Sequence, residues 1–65
     1  MKLRYFEDTD TLYIEFRADG ITESRDLDEN TLIELDAVGH VCAMTMEHAS
    51  RRTDTSNIVV ENIAA

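Results

Sequence analysis

Hydrophobic and polar positions alternate along the first 48 residues with the period of β-strands. In the second segment, Leu12, Ile14 and Phe16 share one side, and polar or aromatic residues stand between them. Such alternation is typical of half-buried strands, because successive side chains point to opposite faces. Turn signals at 7–10, 19–20, 27–30 and 36–39 interrupt the pattern about every ten residues. The pattern predicts a mainly β fold: one domain over 1–65, with an antiparallel meander of four to five strands over 1–48. Residues 49–65 are expected to form a loop, with one helical turn at 49–52, and then a short C-terminal segment that is a strand or a short helix.

Two of the segments have a clear expected position in the sheet. The segment from Ile21 to Leu27 has a polar middle, which suits an exposed edge strand. The segment from Val41 to His48 has apolar side chains on both faces, so we expect it to be central and the most buried. Between the second and third segments, Asp19-Gly20 is a strong hairpin dipeptide, since a type I′ turn needs positive φ at both central residues.

The length of the chain raises the question of what covers the sheet. A domain of 65 residues buries only about 60% of its unfolded surface. A single sheet leaves one apolar face that another layer must cover, and the tail supplies little beyond its β-branched run at 58–60. A homodimer, with either the sheets facing each other or the tails exchanged, is the simplest solution. We expect its interface to contain Met44, Met46, Ile58 and Val60, with the tail extended.

The charge of the chain excludes some partners and favours others. Fourteen acidic against six basic residues give a net charge of -8, which disfavours direct binding to nucleic acid or to an anionic membrane. Residues 1–36 carry -7 of that charge, and the stretch 23–36 alone has six acids and one arginine. A solvated face is the usual role of such a cluster. The alternative is a surface that binds a basic protein partner, and its residues would be Glu23, Asp26, Asp28 and Glu29.

Several short motifs follow one another along the chain: Tyr5, the pair Asp8 and Asp10 with the run up to Phe16, Thr22-Glu23-Ser24 and Ala49-Ser50. These motifs resemble those of a family of short bacterial proteins, number 2283 among the domains of unknown function. The resemblance starts at Tyr5 and at the run Asp10-Thr11-Leu12-Tyr13-Ile14-Glu15-Phe16, and it continues through Thr22-Glu23-Ser24, 32–36 and 39–41. It closes at 44–50, where the family has Ile-x-Ile-x-x-Ala-Ser and this chain has Met44-Thr45-Met46-Glu47-His48-Ala49-Ser50. The resemblance covers residues 1–52 and implies a small β-rich domain without an established activity. Some relatives are encoded near toxin-like genes, which implies an antitoxin-type role. The tail departs from the family pattern.

One row of side chains has the elements of a metal site. Cys42, Met44, Met46 and His48 lie two positions apart, and thiolate, thioether and imidazole are ligands of Cu(I). Packing is the expected role, because methionine and free cysteine fill apolar gaps. We therefore predict no metal site and no cofactor, and we keep a small-ligand or soft-metal sensor on this row as the alternative function.

Catalysis and export have little support in the sequence. Nothing fills the roles of an activated nucleophile, a phosphate-binding loop or a catalytic dyad, so we predict no catalytic residues and no enzyme. The N-terminus lacks the apolar stretch of a signal peptide, and no apolar run approaches 18 residues. We expect a cytoplasmic, non-catalytic, protein-binding or regulatory module, antitoxin-like in role, that works as a dimer.

Overall fold

A computed structural model describes residues 1–64 as one five-stranded sheet followed by a short 3₁₀ turn. The elements are β1 (Lys2–Phe6), β2 (Thr11–Glu15), β3 (Ile21–Asp28), β4 (Thr31–Asp36), β5 (Val41–Glu47) and the 3₁₀ turn η1 (Ala49–Arg51). Every pair of neighbouring strands is antiparallel. The prediction of a mainly β, antiparallel fold with five strands is confirmed.

The strand order across the sheet is β1-β2-β5-β4-β3. β3, β4 and β5 form a continuous meander, and β5 then inserts between β4 and β2. The predicted hairpin at Asp19-Gly20 is therefore wrong, because β2 and β3 are not neighbours. Gly20 has a φ of +82°, but Asp19 is not in a positive-φ conformation, as a type I′ turn would need. The physical reason lies in β5, whose two apolar sides gain more from the centre of the sheet than the polar β3 would.

This order confirms the edge position of the third strand and the central position of the fifth. The fifth is not the most buried strand, since β4 has no exposed residue and β5 has two. β3 lies at an edge, and all eight of its residues are exposed. β5 lies at the centre and contains Cys42 and Ala43, both fully buried. The polar middle of 21–27 was sufficient to predict the edge position, and the apolar residues on both sides of 41–48 were sufficient to predict the central position.

The register of the strands separates an apolar from a polar face. Residues that pair across antiparallel strands share a face, and Ile14 pairs with Leu3 on one side and with Met44 on the other. Met44 in turn pairs with Ile33. The apolar residues of one face are Leu3, Leu12, Ile14, Ile33, Met44 and Met46, and Tyr5 and Thr31 share this face because they pair with Leu12 and Met46. The residues that form the polar face are Arg4, Tyr13, Glu15, Leu32, Glu34 and Thr45.

No second layer covers the sheet among residues 1–64. The buried hydrophobic residues are Leu35, Cys42, Ala43 and Ala49, and Cys42 is the largest side chain buried completely. Ile14 and Met44 stay only half-buried, although they lie in the middle of central strands. A covering layer would bury such side chains nearly completely, so the described chain is a sheet with a bare apolar face.

The turn between β4 and β5 is held by a single carboxylate. Asp36 Oδ1 accepts hydrogen bonds from the backbone N–H groups of Val38, Gly39 and His40, at 3.0, 2.9 and 2.9 Å. Gly39 has a φ of +99°, a backbone conformation that residues other than glycine rarely adopt. The turn predicted at 36–39 is confirmed, and it brings β5 back antiparallel to β4.

The C-terminal segment meets the sheet at Arg52 and again at Thr55, which lies beside the Tyr5 hydroxyl of β1. Arg52 Nη1 donates to Thr31 Oγ1 at 2.6 Å, and Thr31 is buried. Residues 52–64 form neither helix nor strand, so the preference of 58–63 for a strand is not realised in the described chain. The helical turn expected after His48 is present as η1.

Candidate functional site

Three residues far apart in the sequence form a hydrogen-bonded cluster around Asp10. Asp10 lies in the turn between β1 and β2 with a φ of 53°. Its carboxylate accepts hydrogen bonds from the Tyr5 hydroxyl, from the Ser50 N–H at 3.0 Å and from Ser50 Oγ at 2.7 Å. Its backbone oxygen accepts from the N–H of Ala49 at 3.0 Å. We call Tyr5, Asp10 and Ser50 the Asp10 cluster; it ties the first turn to η1.

The hydrogen bonds of the Asp10 cluster change the pKa values of its members. The Tyr5 hydroxyl and then Ser50 stabilise the ionised carboxylate, so the pKa of Asp10 is lowered from its usual 3.8. The same bond raises the pKa of Tyr5 above its usual 10.0, because a phenolate could not donate to the carboxylate. At neutral pH the cluster therefore holds an ionised aspartate and a neutral tyrosine.

The arrangement of the Asp10 cluster suits structure better than nucleophilic catalysis. A serine nucleophile needs a base that accepts its proton, usually a histidine oriented by a third group. Ser50 Oγ instead donates directly to the carboxylate, and no histidine of residues 1–64 is hydrogen-bonded to it. The cluster was not identified as a unit from the sequence. Its signal was the order of the motifs, since Tyr5, Asp10 and Ala49-Ser50 are among the residues that carry the family resemblance.

The four predicted acidic residues lie along or just after the open edge strand β3, but they do not share one environment. Glu23 Oε2 accepts two hydrogen bonds from the guanidinium of Arg25, one of them at 3.0 Å, so its charge is paired. Asp28 accepts from the N–H of Asn30 at 2.9 Å and lies 3.8 Å from Arg52. Backbone hydrogen bonding by Asn30 is the main cause of the lowered pKa of Asp28. The carboxylates of Glu23 and Asp28 are therefore already engaged in local hydrogen bonds and ion pairs.

The other two predicted acids line one open cleft of about 210 Å³. Asp26 and Glu29 are joined there by Glu47 at the end of β5, and Leu32 and Thr45 also line it. We call this the acidic cleft. Within residues 1–64, none of its three carboxylates is paired with a basic side chain. Glu47 was missed by sequence reasoning, since only the register of β5 brings it beside β3 and β4.

An irregularity in β3 decides which acids share the cleft. Asp26 pairs with Leu32 and Asp28 pairs with Thr31, with a register shift between the two pairs. Leu32 and Thr31 are adjacent in β4 and point to opposite faces. Asp26 therefore lies on the side of the polar face and Asp28 on the side of the apolar face, although two residues in an unbroken strand would share a face.

The alternative soft-metal site does not form an unbroken row of side chains, because its first residue, Cys42, is buried and its last, His48, lies beyond the end of β5. Cys42 is fully buried, with Sγ 3.7 Å from the carbonyl oxygen of His40. Met44 and Met46 are half-buried on the apolar face. His48 follows the end of β5 with a φ of 56° and precedes η1. In the chain from Met1 to Ala64, no group of three or more His, Cys, Asp and Glu side chains is placed to hold a metal ion.

The four predicted interface residues fall into two sets. Met44 and Met46 belong to the apolar face, whereas Ile58 and Val60 lie in the C-terminal segment with exposed fractions of 58% and 82%. All four present apolar surface that the described chain does not bury completely.

The fold and the Asp10 cluster together define a small, single-layer β protein whose first turn and last turn are fastened to each other. The chain belongs to the family described as "Protein of unknown function (DUF2283)", whose model matches residues 2–50. The matched range contains all five strands and both ends of the Asp10 cluster, and the tail lies outside it. Searches of curated proteins and of solved structures found no match. Among residues 1–64, no helix is long and apolar enough to cross a membrane.

Proposed function

We propose that this chain is a non-catalytic binding module, antitoxin-like in role, that binds a basic protein partner along β3 and the acidic cleft. The observation that carries the proposal is the open edge of β3, an eight-residue strand that pairs only with β4. An edge strand presents unpaired N–H and C=O groups, to which an extended segment of a partner can add as a further strand. Antitoxin-like character rests on the family resemblance.

The charges near β3 favour a partner of basic character. Asp26, Glu29 and Glu47 lie within one cleft, and the chain as a whole has a net charge of -8. Complementary charge speeds association and selects the partner, so a basic segment would be drawn to this edge. The opposite edge strand, β1, carries Lys2 and Arg4, which disfavour the same partner there.

The absence of a catalytic role is part of the proposal. The serine of the Asp10 cluster is hydrogen-bonded to a carboxylate whose lowered pKa makes it a weak base. The lowered pKa values of Asp10, Asp28 and Asp36 are each explained by turn or cluster hydrogen bonds. The alternative sensor function has less support, because His48 leaves the row and Cys42 is buried. A cytoplasmic location in a bacterium also belongs to the proposal; the free thiol of Cys42 is compatible with a reducing compartment.

A synthetic strand-forming peptide of alternating arginine and valine is a suitable probe, with a glutamate–valine peptide as its control. We expect the basic peptide to shift the amide resonances of β3 and of the acidic cleft in a titration followed by NMR. Asp26→Lys and Glu29→Lys should each slow association about tenfold at low salt. Asp19→Lys makes the same change of charge outside the cleft and should have little effect.

Two results would count against this assignment of the surface. Equal weakening by Asp19→Lys would mean that only net charge attracts the peptide. Resonance shifts centred on β1 instead of β3 would move the binding edge to the other side of the sheet. Co-purification from the native host would then identify the natural partner and its charge.

A further inference from the structure

We propose that a second copy of this chain covers the apolar face, so that two sheets pack face to face in a two-layered β-sandwich. The proposal does not depend on the function assigned to β3, since that edge and the apolar face are different surfaces. It also differs from an exchange of C-terminal tails, because it places the contact on the strands themselves.

The first support is that the described chain leaves this face bare. Ile14, Ile33 and Met44 lie side by side on β2, β4 and β5, and each is only half-buried. Leu3, at the edge of the same face, is exposed. The tail does not replace a second layer, since Ile58, Val59, Val60 and Ile63 are all exposed.

The second support is the surface area of the chain. A compact monomer of 7.4 kDa exposes about 4,200 Å², whereas this chain exposes 5040 Å². The excess is roughly 800 Å², which is about the area that each partner buries in a standard protein interface. The Cα extents of 37 × 33 × 17 Å describe a flat body, as expected for one layer of a sandwich. The extended tail contributes to the excess, so the experiments below separate the tail from the face.

The third support is the distribution of charge, which selects a second copy over a basic partner for this face. Each copy has a net charge of -8, so two copies repel each other unless their acidic residues stay outside the contact. On β2, β4 and β5 the charged residues are Glu15, Glu34, Asp36 and Glu47, and by the alternation of each strand they belong to the polar face. The apolar face of these three strands carries no charge. Among the described strands, acidic residues reach that side only from the edge strand β3, where Glu23 is bonded to Arg25 and Asp28 lies 3.8 Å from Arg52. A basic partner would therefore find no unpaired acid on that side of the strands.

A twofold arrangement would place the same residues of both copies in contact. Isologous interfaces are self-complementary, and aligned sheets pack about 10 Å apart. Met44 lies on the central strand, flanked by Ile14 and Ile33 on its neighbours, so it would occupy the middle of the contact. Methionine adapts its shape to an irregular surface, which suits the centre of such an interface.

A pair of neighbouring substitutions tests the face directly. Met44→Lys places a charge at the centre of the apolar face, whereas Thr45→Lys places the same charge one residue later on the polar face. Sedimentation equilibrium of the full chain should give twice 7.4 kDa. We expect Met44→Lys to raise the dimer Kd by about 100-fold or more, and Thr45→Lys by no more than a few-fold. A monomeric full chain at about 1 mM would overturn the proposal.

Two further measurements cover the cases in which Met44→Lys does not fold or the C-terminal tails hold the dimer together. If Met44→Lys does not fold, the unmodified chain still decides: its Tm should rise with protein concentration when folding and dimerisation are coupled, and a constant Tm would overturn the proposal. A chain that ends at Thr55 lacks the apolar tail and should remain dimeric. Loss of the dimer in that shortened chain, with Met44→Lys still dimeric, would assign the contact to exchanged tails instead.

Discussion

Ser50 donates both its backbone N–H and its hydroxyl to the carboxylate of Asp10, at 3.0 and 2.7 Å, although 40 positions separate the two residues. The paired contact joins the turn after β1 to the 3₁₀ turn after β5. Tyr5 donates to the same carboxylate, so the beginning and the end of the sheet are held by one side chain. Residues that carry the family resemblance thus have a structural explanation in this contact.

The contribution of Asp10 to stability can be measured with Asp10→Asn. Asparagine tolerates the left-handed conformation of this position, so the backbone should be unaffected. Its amide nitrogen cannot accept a hydrogen bond, and one of the bonds from Ser50 or Tyr5 is therefore lost. We expect a clear fall in Tm by circular dichroism, measured at one fixed protein concentration.

Asp8→Asn is the matched control for this substitution. It removes the same charge from the same turn, but Asp8 accepts only the N–H of its neighbour Thr9 at 3.0 Å. An equal fall in Tm for both variants would mean that the turn charge matters and the Asp10 cluster does not.

Acid should destabilise the folded chain through three carboxylates. The hydrogen bond from Tyr5 lowers the pKa of Asp10, and backbone hydrogen bonds from Asn30 and His40 lower the pKa values of Asp28 and Asp36. Because each folded-state pKa lies below the usual 3.8, the stabilisation is complete above that pH and is lost as the pH falls through the folded values. Urea unfolding followed from about pH 6 down to about pH 2, which brackets the usual carboxyl pKa, should show the loss, and Asp10→Asn should reduce it.

Raising the pH should also destabilise the folded chain, in this case through ionisation of Tyr5 in the Asp10 cluster. Tyr5 has a pKa raised above 10.0, first by its bond to Asp10, so its contribution is complete below pH 10.0 and is lost as the pH rises through the folded value. Tyr5→Phe removes this ionisation and should flatten the alkaline side of the stability profile. An unchanged profile would show that the Tyr5–Asp10 bond does not contribute in solution.

Because the core is small, the buried Leu35 should contribute far more to the free energy of unfolding than the exposed Leu27. Leu35 has an exposed fraction of 4%, and Leu27 on the neighbouring edge strand has 62%. Leu35→Ala should lower the free energy of unfolding by about 2–4 kcal/mol. Leu27→Ala should change it by less than about 0.5 kcal/mol. Urea unfolding of both variants checks this, and similar losses would contradict the edge position of β3.

The thiol of Cys42 should be protected while the chain is folded. Cys42 has no exposed surface, so a thiol reagent must wait for local opening of β5. We expect the reaction with an aromatic disulfide reagent to be slower than in urea by on the order of 100-fold. A fast reaction in the folded state would show an accessible thiol and would restore support for the sensor alternative.

Local patterns were sufficient for the individual strands and for some of their positions. Alternation in 12–16 predicted a strand, the polar middle of 21–27 predicted an edge, and the apolar character of 41–48 predicted the centre. Each of these signals depends on side chains a few residues apart, whose orientation follows from the period of two in a strand. The same local reasoning failed at Asp19-Gly20, because whether two strands pair depends on every other strand that competes for the same edge.

The sequence by itself determined the mainly β character of this protein, its five strands, the exposed edge and the buried centre. Only the tertiary structure decided that β5 lies between β2 and β4, that Asp10 meets Ser50, and that Glu47 joins Asp26 and Glu29 in one cleft. The register shift that places Asp26 and Asp28 on different faces of the sheet also could not be predicted from the sequence. The physical reason is that the face of a residue follows from its neighbours in the chain, whereas strand order and register follow from long-range pairing, in which buried area and hydrogen bonds of the whole sheet compete.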